Sequence, residues 1–147
     1  MSAFRFRLER VLAVRRTELE LEEAAFERHS AEIARLDHAR AAVQAEGLRA
    51  EAQIRRWSPV TGNDLAALSE FRLASRAREN ELALRRAEGE RRRAEQKLKM
   101  LEARRRCRLL ERLKDRRLTE WRSEEDRKLE EFAGERFLTQ WGRRPDS

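Results

Sequence analysis

The chain of 147 residues carries 35 Lys and Arg against 28 Asp and Glu, a net charge of +7, with 43% of its residues charged and 6% aromatic. Burying nearly half of such residues would desolvate charges at several kcal/mol each. That excludes an ordinary globular core and, with it, a compact enzyme built round a sealed pocket. Ala, Glu, Lys, Leu and Arg make up 98 of the 147 residues, well above the roughly half that marks a long helix or coiled coil. The 21 Ala and 19 Leu favour helix over disorder.

At the N-terminus, Arg5, Arg7 and Arg10 are followed by no uninterrupted apolar stretch, so no secretory signal is expected. No apolar run approaches the ~18 residues of a membrane span. Cys107 is the single cysteine and has no intramolecular partner. These features point to the cytoplasm or to a cytoplasmic face.

A first helix is predicted over about 4–57. Alternating steps of four and three from residue 8 to residue 57 give fifteen positions, ten of them apolar: Leu8, Leu12, Leu19, Phe26, Ile33, Leu36, Val43, Ala50, Ile54 and Trp57. Leu12, Leu19, Phe26 and Ile33 recur at seven residues without drift, the pattern of a left-handed coiled coil. Ser58, Pro59, Val60, Thr61, Gly62, Asn63 and Asp64 form the densest turn composition in the chain. Thr61 with Asp64 reads as a capping box. A second helix is predicted over about 64–140, stopped by Gly142 and Pro145 within a tail of 141–147. The expected architecture is all-α. It is a single long antiparallel two-helix coiled coil, a helical hairpin over 1–147, because a short loop makes consecutive helices antiparallel neighbours.

Folding at the turn pairs residue i with roughly residue 122 − i. The mirrored seam holds Leu65, Leu68, Leu82, Met100, Ala103, Cys107 and Leu110, interrupted by Arg72, Glu79, Arg86, Arg93 and Gln96. About 20 residues of the second helix then overhang the first. The overhang carries Leu118, Trp121, Leu129, Phe132, Phe137 and Trp141, with Phe4 and Phe6 opposite its base. Exposed contiguous apolar patches mark interaction sites. The bland alternatives are that the overhang folds back on the hairpin or self-associates.

Catalytic chemistry has no support. His29 and His38 form no HExxH, no phosphate-binding glycine loop occurs, and neither a metal nor a cofactor is expected. Cys107 lies among arginines that would lower its pKa, although a packed seam position makes it a small apolar filler. Residues 85–117 hold 15 basic and 6 acidic groups, including Arg91, Arg92, Arg93, Arg104, Arg105 and Arg106. Such a stripe suits either a nucleic acid or an acidic protein surface. Stacking aromatics are absent from it, and Glu88, Glu95, Glu102 and Glu111 neutralise part of it.

The opening Phe4, Phe6, Leu8, Val11 and Leu12, continued by Arg15 and Glu18, resembles the N-terminal signature of the FliJ family of flagellar export proteins. Asp64, Leu65, Leu68 and Phe71 are similar to the start of that family's second helix. The run 109–137, with Glu125, Lys128, Glu131, Phe132 and Ala133, looks like its C-terminal block. The resemblance spans essentially the whole chain. It implies a non-catalytic stalk of the type III protein export apparatus, similar to the central stalk subunit of rotary ATPases. Such a stalk links and stimulates the hexameric export ATPase FliI and the export-gate protein FlhA, and meets export chaperones. It is cytoplasmic and peripheral to the inner face of the membrane at the flagellar base, without membrane insertion or DNA binding. The implied ATPase surface is Phe4, Phe6, Leu8, Leu118, Trp121, Leu129 and Phe132. Phe71 would meet the export gate, although Ser75 and Arg78 depart from the family there. The arginines of 85–117 would supply steering. An injectisome stalk homologue, an unrelated structural coiled coil and a basic RNA-binding hairpin are the alternative readings.

Overall fold

A computed structural model describes residues 3–57 and 59–143; Ser58 and Pro145, both named above, lie outside the described residues. It is all-helical among these residues, with two long helices in contact, α1 (Glu9–Arg56) and α2 (Gly62–Gly142). Contacts divide the chain into two compact units, one of Met1–Leu19 with Ala103–Ser147 and one of Glu20–Glu102. Contacts between paired helices are local. Each side chain meets only those opposite it and about one turn away. No helix among the described residues is long and apolar enough to cross a membrane.

The second unit is a helical hairpin. α1 ends with the Trp57 amide donating to the Ile54 carbonyl at 3.1 Å. α2 begins at a complete capping box: the Thr61 amide donates to Asp64 Oδ2 at 3.0 Å, and the Asp64 amide donates to Thr61 Oγ1 at 3.2 Å. The backbone N–H of Thr61, then its side chain, hold the Asp64 carboxyl below its ordinary range. Because the folded pKa is depressed, this cap is complete above the ordinary value and is lost as pH falls through the folded one.

Ile33, Leu36, Leu68, Leu82 and Met100 form the buried stripe of this unit. Gln96 is also buried. Its amide donates to the Glu22 carbonyl at 3.1 Å and to the Glu22 carboxylate, so a polar seam position is satisfied rather than orphaned. Arg86 reaches Asp37 at 2.5 Å and Arg72 reaches Glu51 at 2.9 Å. Both crossings follow a pairing of i with about 123 − i, one residue from the expected register. The seam departs from expectation at four places. Arg40 is exposed while Ala39 is half-buried, and Trp57, Leu65 and Arg72 face solvent near the turn. A long charged side chain is better hydrated, and a neighbouring alanine lets the helices approach.

In the first unit, Leu12, Ala103 and Cys107 are buried, and Lys114 bridges to Glu9 at 2.9 Å. Here α1 begins at Glu9, not at about residue 4. Residues 3–6 are non-helical, and Phe4, Phe6 and Leu8 are half-buried while Arg5 and Arg7 are exposed. The F-x-F-x-L alternation has the two-residue period of an extended segment; a helix would turn Phe4 and Phe6 away from each other. At the other end α2 runs to Gly142, two residues past the expected stop.

Three substitutions read these features separately in urea melts followed by circular dichroism. Leu12→Ala lowers stability by about 2–5 kcal/mol. Thr61→Ala lowers it by about 0.5–2 kcal/mol through the lost cap. Gly47, inside α1 with open space where a Cβ would sit, goes the other way: Gly47→Ala raises stability by up to about 1 kcal/mol.

Candidate functional site

The extended N-terminal segment lies against α2 in the first unit. Its phenyl ring at Phe4 meets Trp121 with ring centroids 6.0 Å apart and planes tilted by 53°, within the range of favourable aromatic pairs. Around this contact an open groove of about 670 Å³ is lined by Phe4, Phe6, Leu8, Leu113 and Trp121, together with Arg5, Arg7, Arg117, Glu120 and Glu124. An apolar floor with charges of both signs suits a protein surface better than a small metabolite. A further depression of about 600 Å³ shares Phe4 and Phe6 and adds Glu9, Arg10 and Lys114.

The expected ATPase surface is therefore split by the structure. Phe4, Phe6, Leu8 and Trp121 line one groove, and Leu118 is half-buried in the same unit. Leu129 and Phe132 lie farther along α2 and are 56% and 62% exposed. Phe137 and Trp141 stack on each other with centroids 6.3 Å apart, also exposed. Leu113, Glu120 and Glu124 line the groove without having been singled out in the sequence, as does Arg117, which had been read only as part of the basic stretch 85–117. Their 4-3-4 spacing puts them on one helix face beside Trp121, and that spacing was the available signal.

In the second unit, Phe71 borders a separate groove of about 450 Å³ with Gly47, Glu51, Arg72, Ser75, Arg76 and Glu79. Gly47 and Ser75 are small, so the paired helices leave a notch there. The Arg72–Glu51 ion pair is among the groups that line it. Arg78 is paired instead with Glu81 of its own helix at 3.2 Å.

The arginine-rich stretch is partly neutralised along its own helix. Arg92 and Arg91 both approach Glu88, at 2.9 and 3.9 Å, and Arg85 reaches Glu81 at 2.7 Å. Arg93 is half-buried, and Arg104, Arg105 and Arg106 each have interactions of their own. Exposed pairs of this kind contribute about 0–1 kcal/mol. Their larger effect is to reduce the field available for steering.

Catalytic candidates stay scattered. His29 is half-buried and His38 exposed, and no three metal-ligating side chains converge among the described residues. Cys107 is buried in the seam, as expected of a small apolar filler, and the alternative of activation by neighbouring arginines does not hold. Burial pushes its thiol above the ordinary value, and Glu111, whose Oε1 lies 3.5 Å from Sγ, adds to this. Arg16, which also reaches Glu111 at 3.5 Å, opposes it only in part. Cys107 therefore reacts with a maleimide at neutral pH at least about tenfold more slowly in the folded chain than in urea. Equal rates in the two states would show that the seam is open at this level.

Comparison with models of known protein families, with functionally characterised proteins and with solved structures finds no match for this chain.

Proposed function

We propose that the chain is a FliJ-type stalk of a type III protein export apparatus, a non-catalytic partner that links and stimulates the hexameric export ATPase FliI. In this reading α1 and α2 form a long antiparallel coiled coil whose second helix overhangs the first. The pairing of i with about 123 − i, found in each unit taken by itself, supports that fold. So does the burial of a single apolar stripe among charged helices.

One observation carries the functional reading. The N-terminal aromatic segment is laid on Trp121 where α2 begins to expose Leu129 and Phe132. An aromatic groove thus continues into an uncovered apolar helix face, which is the arrangement a partner-binding surface needs. The surface is proposed to enter the ATPase ring. A single asymmetric element can touch only some of six subunits, and it biases their states through differential contact. Arg117 and the groups of Arg91–Arg93 and Arg104–Arg106 supply salt-sensitive attraction to acidic subunit surfaces. The notch beside Phe71 is proposed as the contact with the export gate FlhA, its small residues leaving room for a partner side chain. Export chaperones are further candidate partners. The site of action is the cytoplasmic side of the membrane at the flagellar base.

The proposal is tested by pull-down and by ATPase assay. The purified chain hydrolyses no ATP but raises the rate of the hexameric enzyme, and turnover by the chain alone would sink the reading. Trp121→Ala and Phe132→Ala each weaken ATPase binding by about 2 kcal/mol, as truncation of a central aromatic does, with helicity unchanged. If neither substitution affects binding, the surface is misassigned. Recovery of nucleic acid with a steep salt dependence would favour the basic-hairpin alternative instead.

A further inference from the structure

The apolar face of α2 does not stop where its cover stops. Leu118, Trp121 and Glu125 are half-buried in the first unit, and the same spacing of four and three continues to Leu129, Phe132 and Arg136. Every described residue from 126 to 143 is exposed in the single chain. At helical periodicity, 125, 129, 132 and 136 share one face. A covered face thus continues directly into an uncovered one.

Charge selects the occupant. Glu125 stands four residues before Leu129, and Arg136 stands four residues after Phe132. The face therefore reads as acid, leucine, phenylalanine, base, with mirror-symmetric spacing. Two such faces brought together antiparallel place Leu129 of one copy against Phe132 of the other. The same register sets Glu125 against Arg136 twice, once at each end, and brings Lys128 close to Glu135 of the other copy. A parallel arrangement would oppose Glu125 to Glu125 and Arg136 to Arg136. Little is given up on pairing, because the present partner of Glu125 is Lys128 of its own helix, at 3.7 Å and exposed to solvent.

We propose that a second copy of this chain occupies this face, forming a two-fold antiparallel helix pair centred between Leu129 and Phe132. The inference does not depend on the export reading. It uses two residues of the surface proposed for the ATPase, so the dimer and the ATPase complex exclude each other. Buried aromatic side chains contribute about 150–250 Å² each. Two Phe132 rings supply at most about 300–500 Å², and two Leu129 side chains with the flanking stems leave the interface in the small, transient class below about 1,200 Å². The dimer is accordingly weak and reversible, with a Kd of about 10–100 µM.

Sedimentation equilibrium of the full chain alone, from about 1 to about 500 µM, tests this. The expected result is a reversible monomer–dimer equilibrium. Phe132→Glu abolishes it, and Glu125→Arg and Arg136→Glu each weaken it about tenfold. A mixture of the two charge variants restores association, because each seam again opposes unlike charges. Circular dichroism checks that all three substitutions, at exposed or half-exposed helix positions, leave helicity unchanged. A chain that stays monomeric throughout overturns the proposal, as would follow if the segment folded back or served only an unrelated partner. A dimer indifferent to both charge variants, or one that mixing fails to restore, overturns it too.

Discussion

The narrow apolar stripe between α1 and α2 is the constraint on which the rest of the structure depends. With 43% of residues charged, only one face of each helix can leave water without stranding ions. Leu12, Ile33, Leu36, Leu68, Leu82 and Met100 are the large aliphatic side chains that do so. The ion pairs that cross the seam, such as Glu9–Lys114 and Asp37–Arg86, are solvent-screened and contribute little each. They favour one register among those the stripe permits. Gln96 does the same from inside the seam, because its two acceptors on Glu22 are met in only one alignment.

What the stripe leaves uncovered directs attention to function. The chain's single thiol is buried, and that burial makes it less reactive. Three surface features stand out: an aromatic groove at Phe4 and Trp121, an exposed apolar stretch along α2, and a notch at Phe71. The proposed stalk role and the proposed self-association both draw on the second of these. The same residues serve both, so partner binding would be linked to the monomer–dimer balance by mass action.

The helices and the turn were legible because their signals are local. The seven-residue recurrence of Leu12, Leu19, Phe26 and Ile33 and the Thr61–Asp64 box need no tertiary information. The N-terminal segment was harder, because Phe4, Phe6 and Leu8 fit a helical stripe and an extended alternation over so short a stretch. The half-burial of all three by α2 decides between them. Near the turn, Trp57 and Leu65 were read as seam residues by carrying the period to the ends of the helices, but Trp57 lies past the end of α1 and Leu65 is in the first turn of α2, and both are exposed. Phe4, Phe6, Leu8 and Trp121 were visible as scarce aromatics and aliphatics. Leu113, Arg117, Glu120 and Glu124 were hidden among charges that look alike until a neighbour singles out one face.

Hydrogen–deuterium exchange on the chain, alone and mixed with the hexameric export ATPase, tests the central claim most directly when the chain is dilute enough to be monomeric. Protection confined to residues 3–8 and 113–141, with 20–102 unchanged, is the predicted result. No change in those two stretches, or protection limited to the arginine-rich residues 85–112, would contradict it.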